Sequence, residues 1–371
     1  MKANDGAVAM KPSARVRFES KLVEGITMNQ KVPGATLVYE DDASIHEVGP
    51  EPDWRESYYL NFASIDGDIS GIVWQGVRPN SGVGEAVFVL YEGDTPLLHS
   101  VNMQVPVPED IGTERMTLGH QGFECIDPWR HWKVQYDDGT DRVALDWTQI
   151  SDTCNWHWQD LQDSIHYQGS GRVEGVAVIK GREIPIVGYG DRDRAWGKRN
   201  YGPLKFAVNF FSQFEDDTML HAFVMLDPAG HERLHGYLHR DGLTRDLVEY
   251  DADFTYDEEG RPPTTARHRA KDVDGREIEI SETHFRHALE FATAPDGANL
   301  QGGKGIPEHA GSRMFLGSHQ YRRPTGEHGV GCIDMNFWIG HQQKQVRARS
   351  PLFSKLYGFG RGAEPKDAAT D

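Results

Sequence analysis

The chain has 371 residues, with 39 Lys plus Arg against 57 Asp plus Glu and a formal net charge of −18. A surface this acidic repels phosphate backbones and anionic headgroups, which excludes nucleic acid as an expected partner. Cys125, Cys154 and Cys332 are widely spaced, the first twenty residues hold no apolar signal region, and no 18-residue apolar run exists, so a cytoplasmic protein with no disulfide framework and no stable membrane insertion is expected.

Residues 1–49 read as an N-terminal arm with one short helix, carrying Pro12, Pro33 and the acidic run Glu40 to Asp42. From about residue 50 the pattern turns to β. Short apolar runs, such as Val87 to Tyr91, Val173 to Ile179, Ile184 to Val187, Phe206 to Phe211 and His221 to Leu226, are separated by turn signals. Asp66-Gly67, Asp138-Gly139, Lys180-Gly181, Asp241-Gly242 and Asp274-Gly275 are of the kind that close hairpins. Alternating strand and helix units are absent, so an antiparallel meander closed as a barrel or sandwich is expected. Tyr58-Tyr59-Leu60-Asn61-Phe62 recurs in outline as Phe206-Ala207-Val208-Asn209-Phe210, and the next strands keep nearly the same offset. This repeat predicts two similar units, residues 50–195 and 196–350, followed by a tail, 351–371.

The densest chemistry lies at the seam of that repeat, in Gly188-Tyr189-Gly190-Asp191-Arg192-Asp193-Arg194-Ala195-Trp196-Gly197. In an extended strand Asp191 and Asp193 share one face, and Arg192 and Arg194 the other. Two close carboxylates in a poorly solvated site cannot both ionise cheaply, so one is held protonated as a general acid. In an irregular loop the arginines would instead pair with the aspartates and lower both pKa values. The pattern leaves both readings open. His166, in a strand upstream, can relay a proton or be a satisfied histidine on a strand face. Trp196, Trp158, Trp156, Trp74, Tyr58 and Tyr59 are candidates for an apolar pocket or plain core, and Glu56 shares the face of Tyr58 in a strand. Tyr201, just past the motif, is grouped with the binding residues.

One motif misleads. His231-Glu232-Arg233-Leu234-His235 matches the HExxH zinc pattern, which requires a helix to bring its two histidines together. Here it lies between turn signals in a β region. On a strand the two histidines would stand roughly 13 Å apart, at about 3.3 Å per residue. No metal is expected. No GxSxG elbow, P-loop or dinucleotide fingerprint is present, so no cofactor is expected either.

Arg192-Asp193-Arg194-Ala195-Trp196-Gly197-Lys198-Arg199 resembles the Arg-Asp-x-Ser-Trp-Gly-x-Arg signature of a large bacterial group similar to the carotenoid 1,2-hydratase (hydroxyneurosporene synthase) superfamily. Glu56 to Phe62 and Arg78-Pro79-Asn80 also look like that group. The resemblance spans roughly residues 50 to 340 and is sharp around 188 to 199. It implies an all-β fold of two tandem lipocalin-like antiparallel β-barrel domains around a hydrophobic pocket. In the hydratases the motif reads Tyr-His-Asp-x-Asn-Trp-Gly. The Asp, a proton donor to an alkene, falls on Asp193, the Trp on Trp196, and an upstream catalytic histidine near His166. Asp191 stands at the Tyr position, Arg192 at the His position and Ala195 at the Asn position.

The expected function is therefore acid-catalysed conversion of a hydrophobic, terpenoid- or steroid-like small molecule: hydration or its reverse, isomerisation, or cyclisation. Asp193, Asp191 and His166 are the candidate catalytic residues. Trp196, Tyr58, Glu56, Arg192, Arg194 and Tyr201 are the candidate substrate-binding residues. Alternatives are a carrier of a lipophilic ligand without chemistry, and a zinc hydrolase built on the HExxH match.

Overall fold

A computed structural model describes residues 14–19, 39–43, 45–52, 54–108, 115–156, 164–198, 206–226, 232–255, 265–293, 299–301 and 312–338. A strand β1 (Ala14–Glu19) and one helical turn, α1 (Tyr39–Ala43), precede the first barrel. That barrel is built from β2 (Trp54–Ser64), β3 (Ile69–Arg78), β4 (Val83–Glu92), β5 (Thr95–Pro106), β6 (Arg115–Leu118), β7 (Gln121–Asp127), β8 (His131–Asp137), β9 (Arg142–Gln149), β10 (Cys154–Trp156), β11 (Ser164–Ile179) and β12 (Arg182–Lys198). The second uses β13 (Phe206–Phe214), β14 (Met219–Leu226), β15 (Glu232–Arg240), β16 (Leu243–Thr255), β17 (Thr265–Asp272), β18 (Glu277–Thr293), β19 (Asn299–Gln301), β20 (Ser312–Arg322) and β21 (His328–Trp338).

The turns follow from their residues. A two-residue hairpin that matches strand twist needs positive φ at both central positions. Lys180 and Gly181 have φ of 51° and 79°, and join β11 to β12; Asp241 and Gly242 have 55° and 72°, and join β15 to β16. Among the described residues every strand pairing is antiparallel.

The strand order in the first sheet runs β5-β4-β3-β2-β12-β11-β9-β8, then on through β7 and β6. In the second it runs β16-β15-β14-β13-β21-β20-β18-β17. The two orders are the same, strand for strand. The second barrel closes by pairing of β16 with β17. The first nearly closes, with Leu118 of β6 packed against Gly84 of β4. The chain thus forms two tandem lipocalin-like antiparallel barrels.

Burial patterns locate where the barrels meet. In β8 and β9 buried and more exposed residues alternate, as in a sheet with one wet face. In β2 all eleven residues are buried, and in β12 the alternation of its first half gives way to burial on both faces from Gly188 to Arg192. One face of these strands lines the first barrel, where Leu60, Phe88, Phe123, Trp132 and Trp147 form the core. The other packs on the second barrel through an apolar seam of Tyr59, Ile72, Trp74, Phe211, Leu316 and Cys332. Polar links cross the same seam: Ser318 to Ser70 at 3.1 Å, and the Asp152 amide to Thr244 Oγ1 at 2.9 Å. Gly188 is required here, because a Cβ would meet the Ala63 carbonyl oxygen at 1.9 Å.

The segment before the first barrel touches both. β1 adds to the edge of β16 in the second sheet, while α1 sits at the first barrel. The HExxH match is on a strand: Glu232 to His235 lie in β15, and His231 lies outside the described residues. The helix that this zinc pattern requires is not formed there. Tyr201, Trp158 and the tail from 351 also lie outside the described residues. Among the described residues no helix is long and apolar enough to cross a membrane.

Candidate functional site

Register separates the charges of the Asp-Arg-Asp-Arg motif. Asp191 lies opposite Ser170 of β11 and Asn61 of β2, and Asp193 opposite Gln168 and Tyr59. Arg192 and Arg194 alternate with them and point into the first barrel. The arginines therefore pair elsewhere than with the neighbouring aspartates.

Arg192 is fully buried between aromatic faces, 4.6 Å from the ring centre of Trp132 and 5.0 Å from that of Trp147. Its Nη2 donates to Asp42 of α1 at 2.7 Å. The same carboxylate accepts from the Trp129 amide at 2.5 Å, Trp132 Nε1 at 2.9 Å and the Tyr167 hydroxyl. Burial alone would raise the Asp42 pKa; Arg192 and these donors outweigh it and hold the carboxyl below its ordinary value. Arg194 donates to Glu56 through Nη2 at 2.7 Å and Nε at 3.1 Å. Its Nη1 caps the helical turn, reaching the carbonyls of Asp41 at 2.8 Å and Asp42 at 2.6 Å. Glu56 also bonds His46, whose ring stacks on Trp196 at 3.7 Å. Burial would raise the Glu56 pKa, but Arg194 and His46 hold it below normal. Tyr58 lies under Arg194, 4.6 Å from its guanidinium. So Arg192, Arg194, Trp196, Glu56 and Tyr58 form one buried cluster that clamps α1.

The opposite face carries Asp191, Asp193 and His166, and the structure brings these three together at the seam. His166 Nε2 stands 3.4 Å from Asp193 Oδ2, with side chains 6% and 16% exposed. Asp191 is buried, and both of its oxygens accept: one from the Ser170 hydroxyl, the other from the Gln213 amide of the second barrel. Tyr237, also of the second barrel, bonds Ser170 at 2.5 Å. Its hydroxyl is raised well above the ordinary tyrosine value by burial and then by Asp191. Gln168 lies directly opposite Asp193, fully buried, and neither its amide nitrogen nor its oxygen has a partner among the described residues. Such an orphaned amide costs about 1–3 kcal/mol per polar atom unless something bonds it. Tyr59 and Trp74 continue the row as its apolar side.

Sequence reasoning picked Tyr58 and Glu56 from β2, which face the clamp; their neighbour Tyr59 faces the aspartates. It also passed over Gln168, two residues from His166 and therefore on its face. Asp42 left no signal beyond an acidic run, since its partner is 150 residues away.

His221 adds a pH response. It is buried against Phe211 and donates from Nε2 to Asn209 Oδ1 at 2.8 Å. Burial first, then His235 and His166, keep it neutral far below the ordinary value of 6.5. Between the two values the unfolded chain holds a proton that the folded chain refuses, so stability rises with pH. The contribution is complete above 6.5 and lost as pH falls from there, at up to about 1.4 kcal/mol per unit. Denaturant midpoints measured from pH 7 to pH 5 should fall, and His221→Gln should flatten that slope.

Comparison with curated proteins gives no match. Solved structures share the fold. The AttH candidate protein of Nitrosomonas europaea is 14% identical with a TM-score of 0.59, over 83% of this chain and 98% of that one. CghA, solved with Sch210972, is 11% identical with a TM-score of 0.56, over 78% and 89%. Kievitone hydratase from Nectria haematococca is 11% identical with a TM-score of 0.50, over 76% and 88%. The family model described as Domain of unknown function (DUF7064) matches residues 39–336, from α1 into β21, and the chain belongs to that family.

Proposed function

We propose that the protein is an enzyme that protonates a hydrophobic small molecule at the seam between its barrels, with Asp193 as the acid. The observation that carries this reading is the His166–Asp193 pair at 3.4 Å, set beside the orphaned amide of Gln168 and the apolar side chains of Tyr59 and Trp74. A few convergent polar groups beside apolar side chains in a mostly buried place are the usual form of a small-molecule site. The fold likeness to a kievitone hydratase and to CghA with Sch210972 bound supports the same class of ligand.

The Asp193 carboxyl transfers its proton to an alkene carbon of the ligand. The π pair becomes the new C–H bond, and positive charge develops on the neighbouring carbon, where the face of Tyr59 steadies it. Water adds to that carbon, and its surplus proton passes to His166 and back to the Asp193 carboxylate. Loss of a proton instead of water addition gives isomerisation, and capture by a second alkene gives cyclisation. Gln168 holds a polar group of the ligand. Asp191 does not donate; it fixes the seam through Ser170, Tyr237 and Gln213.

The test is isotopic. Incubation with a panel of isoprenoid alkenes in D₂O should place deuterium on an alkene carbon of at least one of them, read by mass spectrometry. Binding of those compounds with no deuterium and no product would favour a carrier without chemistry.

A further inference from the structure

A cleft of about 190 Å³ opens where the turn between β13 and β14 meets the outer face of β11 and β12. Ile65, Val187 and Tyr189 give it an apolar floor. The strand period explains why they are there. Val173 and Ile186 belong to the core of the first barrel, so alternation turns their neighbours Arg172, Glu174 and Val187, and with them Tyr189, to the outside. Tyr189 lies across from Arg172, and Val187 across from Glu174. Val187 is 55% exposed, more than any other large hydrophobic among the described residues. The cleft is distinct from the candidate site: Tyr189 precedes Asp193 on β12 by roughly 13 Å, at about 3.3 Å per residue.

The rims are acidic. Glu174 stands on one side, from the first barrel, and Glu215 on the other, from the second. Both are exposed, and neither has an ion-pair partner among the described residues. Arg172 is the one cation lining the cleft, and Asp217 already holds it through bonds of 2.8 and 3.0 Å. Just past Ile65 the next turn adds two more exposed carboxylates, Asp66 and Asp68. Size and charge together select the occupant. Pockets for free small molecules usually hold about 300–1,000 Å³. This cleft is smaller and has room for one large side chain, so it suits the anchor residue of a chain segment that carries cations on either side.

The chain itself contains such a segment. Residues 339–371 follow β21 and lie outside the described residues. Within them, 344–361 hold Lys344, Arg347, Arg349, Lys355 and Arg361, no acidic residue, and the apolar Leu352, Phe353, Leu356, Tyr357 and Phe359. In a protein of net charge −18 this inverts the average composition. The segment also reaches. Gly329 at the start of β21 pairs with Phe214, beside Glu215, and Trp338 lies roughly 30 Å further along, at about 3.3 Å per residue. Extended chain from Trp338 to Leu352 covers up to roughly 46 Å. We propose that residues 344–361 dock on this cleft of their own molecule, with the Leu352-Phe353 pair on Ile65, Val187 and Tyr189 and the flanking cations at Glu174 and Glu215. Tethering keeps the segment at an effective concentration on the order of mM. An anionic membrane would compete for the same cations, but it repels the acidic body that carries them.

Carbodiimide cross-linking of the full chain tests this, because it joins a carboxylate to a lysine amine only where the two touch. Peptide mass spectrometry at low salt should find Lys344 or Lys355 joined to Glu174 or Glu215, and about 0.5 M NaCl should suppress the product by screening the charges. Val187→Lys puts a cation on the floor, and Leu352→Ser with Phe353→Ser removes the anchor but keeps both amines. Each should cut the yield by about tenfold, the effect of losing one buried apolar side chain. Asp193→Asn should leave the yield unchanged, whether or not the protein is an enzyme. The proposal is overturned if no such cross-link forms, if the lysines join surface carboxylates at random, or if neither variant lowers the yield. Two further outcomes would reassign the segment. In a mixture of isotopically light and heavy protein, joined peptides carrying both labels would place it on a second copy. Sedimentation with phosphatidylserine vesicles that is lost in the Leu352→Ser, Phe353→Ser variant would place it on a membrane.

Discussion

Asp42→Asn should cost the protein roughly 3–5 kcal/mol of stability, the loss typical when one partner of a buried ion pair is removed. The reason is the charge left behind. Arg192 is 2% exposed, Asp42 is its only ion-pair partner within the clamp, and its other neighbours are aromatic faces. Without the carboxylate a guanidinium remains desolvated between Trp132 and Trp147, and because an amide accepts at only one of its two ends, either the Tyr167 hydroxyl or the Trp129 and Trp132 donors lose their acceptor. An exposed pair sets the scale by contrast. Arg172 and Asp217 meet at 2.8 Å but are 50% and 39% exposed, so Arg172→Ala should cost no more than about 1 kcal/mol. Denaturant midpoints of the two variants give the comparison. An Asp42→Asn protein as stable as the wild type would mean that α1 is not held by the clamp. Replacing both partners by apolar residues, Asp42→Leu with Arg192→Met, should recover much of the loss, because no charge is then stranded.

The fold was legible because its signals are local. Two-residue turns at Lys180-Gly181 and Asp241-Gly242 demand positive φ, and they have it. The repeat of Tyr58 to Phe62 at Phe206 to Phe210 marks β2 and β13, which hold the same place in the two sheets. Even the opposing residues correspond: Asn61 stands across from Asp191, and Asn209 across from Asp334.

The site was legible only in part. Period-two alternation separates Asp191 and Asp193 from Arg192 and Arg194, but it does not say which set faces inward. That normally follows from a polar and an apolar face. Here β2 is buried on both faces, so the apolar contrast that would orient it is missing. The same ambiguity left Tyr58 and Tyr59 both as pocket candidates and carried only Tyr58, with Glu56, into the binding set, while Tyr59 is the one opposite Asp193. The partners of the arginines were out of reach for another reason. Asp42 and Glu56 approach β12 only after the barrel closes, across 150 and 138 residues of chain, and no local pattern encodes that contact.

Asp193→Asn is the variant on which the enzymatic reading stands. Asn keeps the shape and much of the hydrogen bonding, but has no proton to give to an alkene. General acid catalysis typically contributes about 10²–10⁴-fold, so deuterium incorporation and product formation should fall by that factor. Stability should hardly change, because the carboxyl is 16% exposed and meets His166 at 3.4 Å rather than in a tight buried pair. Asp191→Asn provides the contrast. Both oxygens of Asp191 accept hydrogen bonds, from Ser170 and from Gln213 across the seam, and an amide can accept at only one of its two ends. That variant should lose stability, by about 1–3 kcal/mol for the stranded donor, whether or not the protein is an enzyme. The pair of variants thus separates chemistry from architecture: activity should follow Asp193, and melting temperature should follow Asp191. If Asp193→Asn instead melts much lower than Asp191→Asn, the Asp193 carboxyl is a structural group. If it stays both stable and fully active, the proton comes from elsewhere.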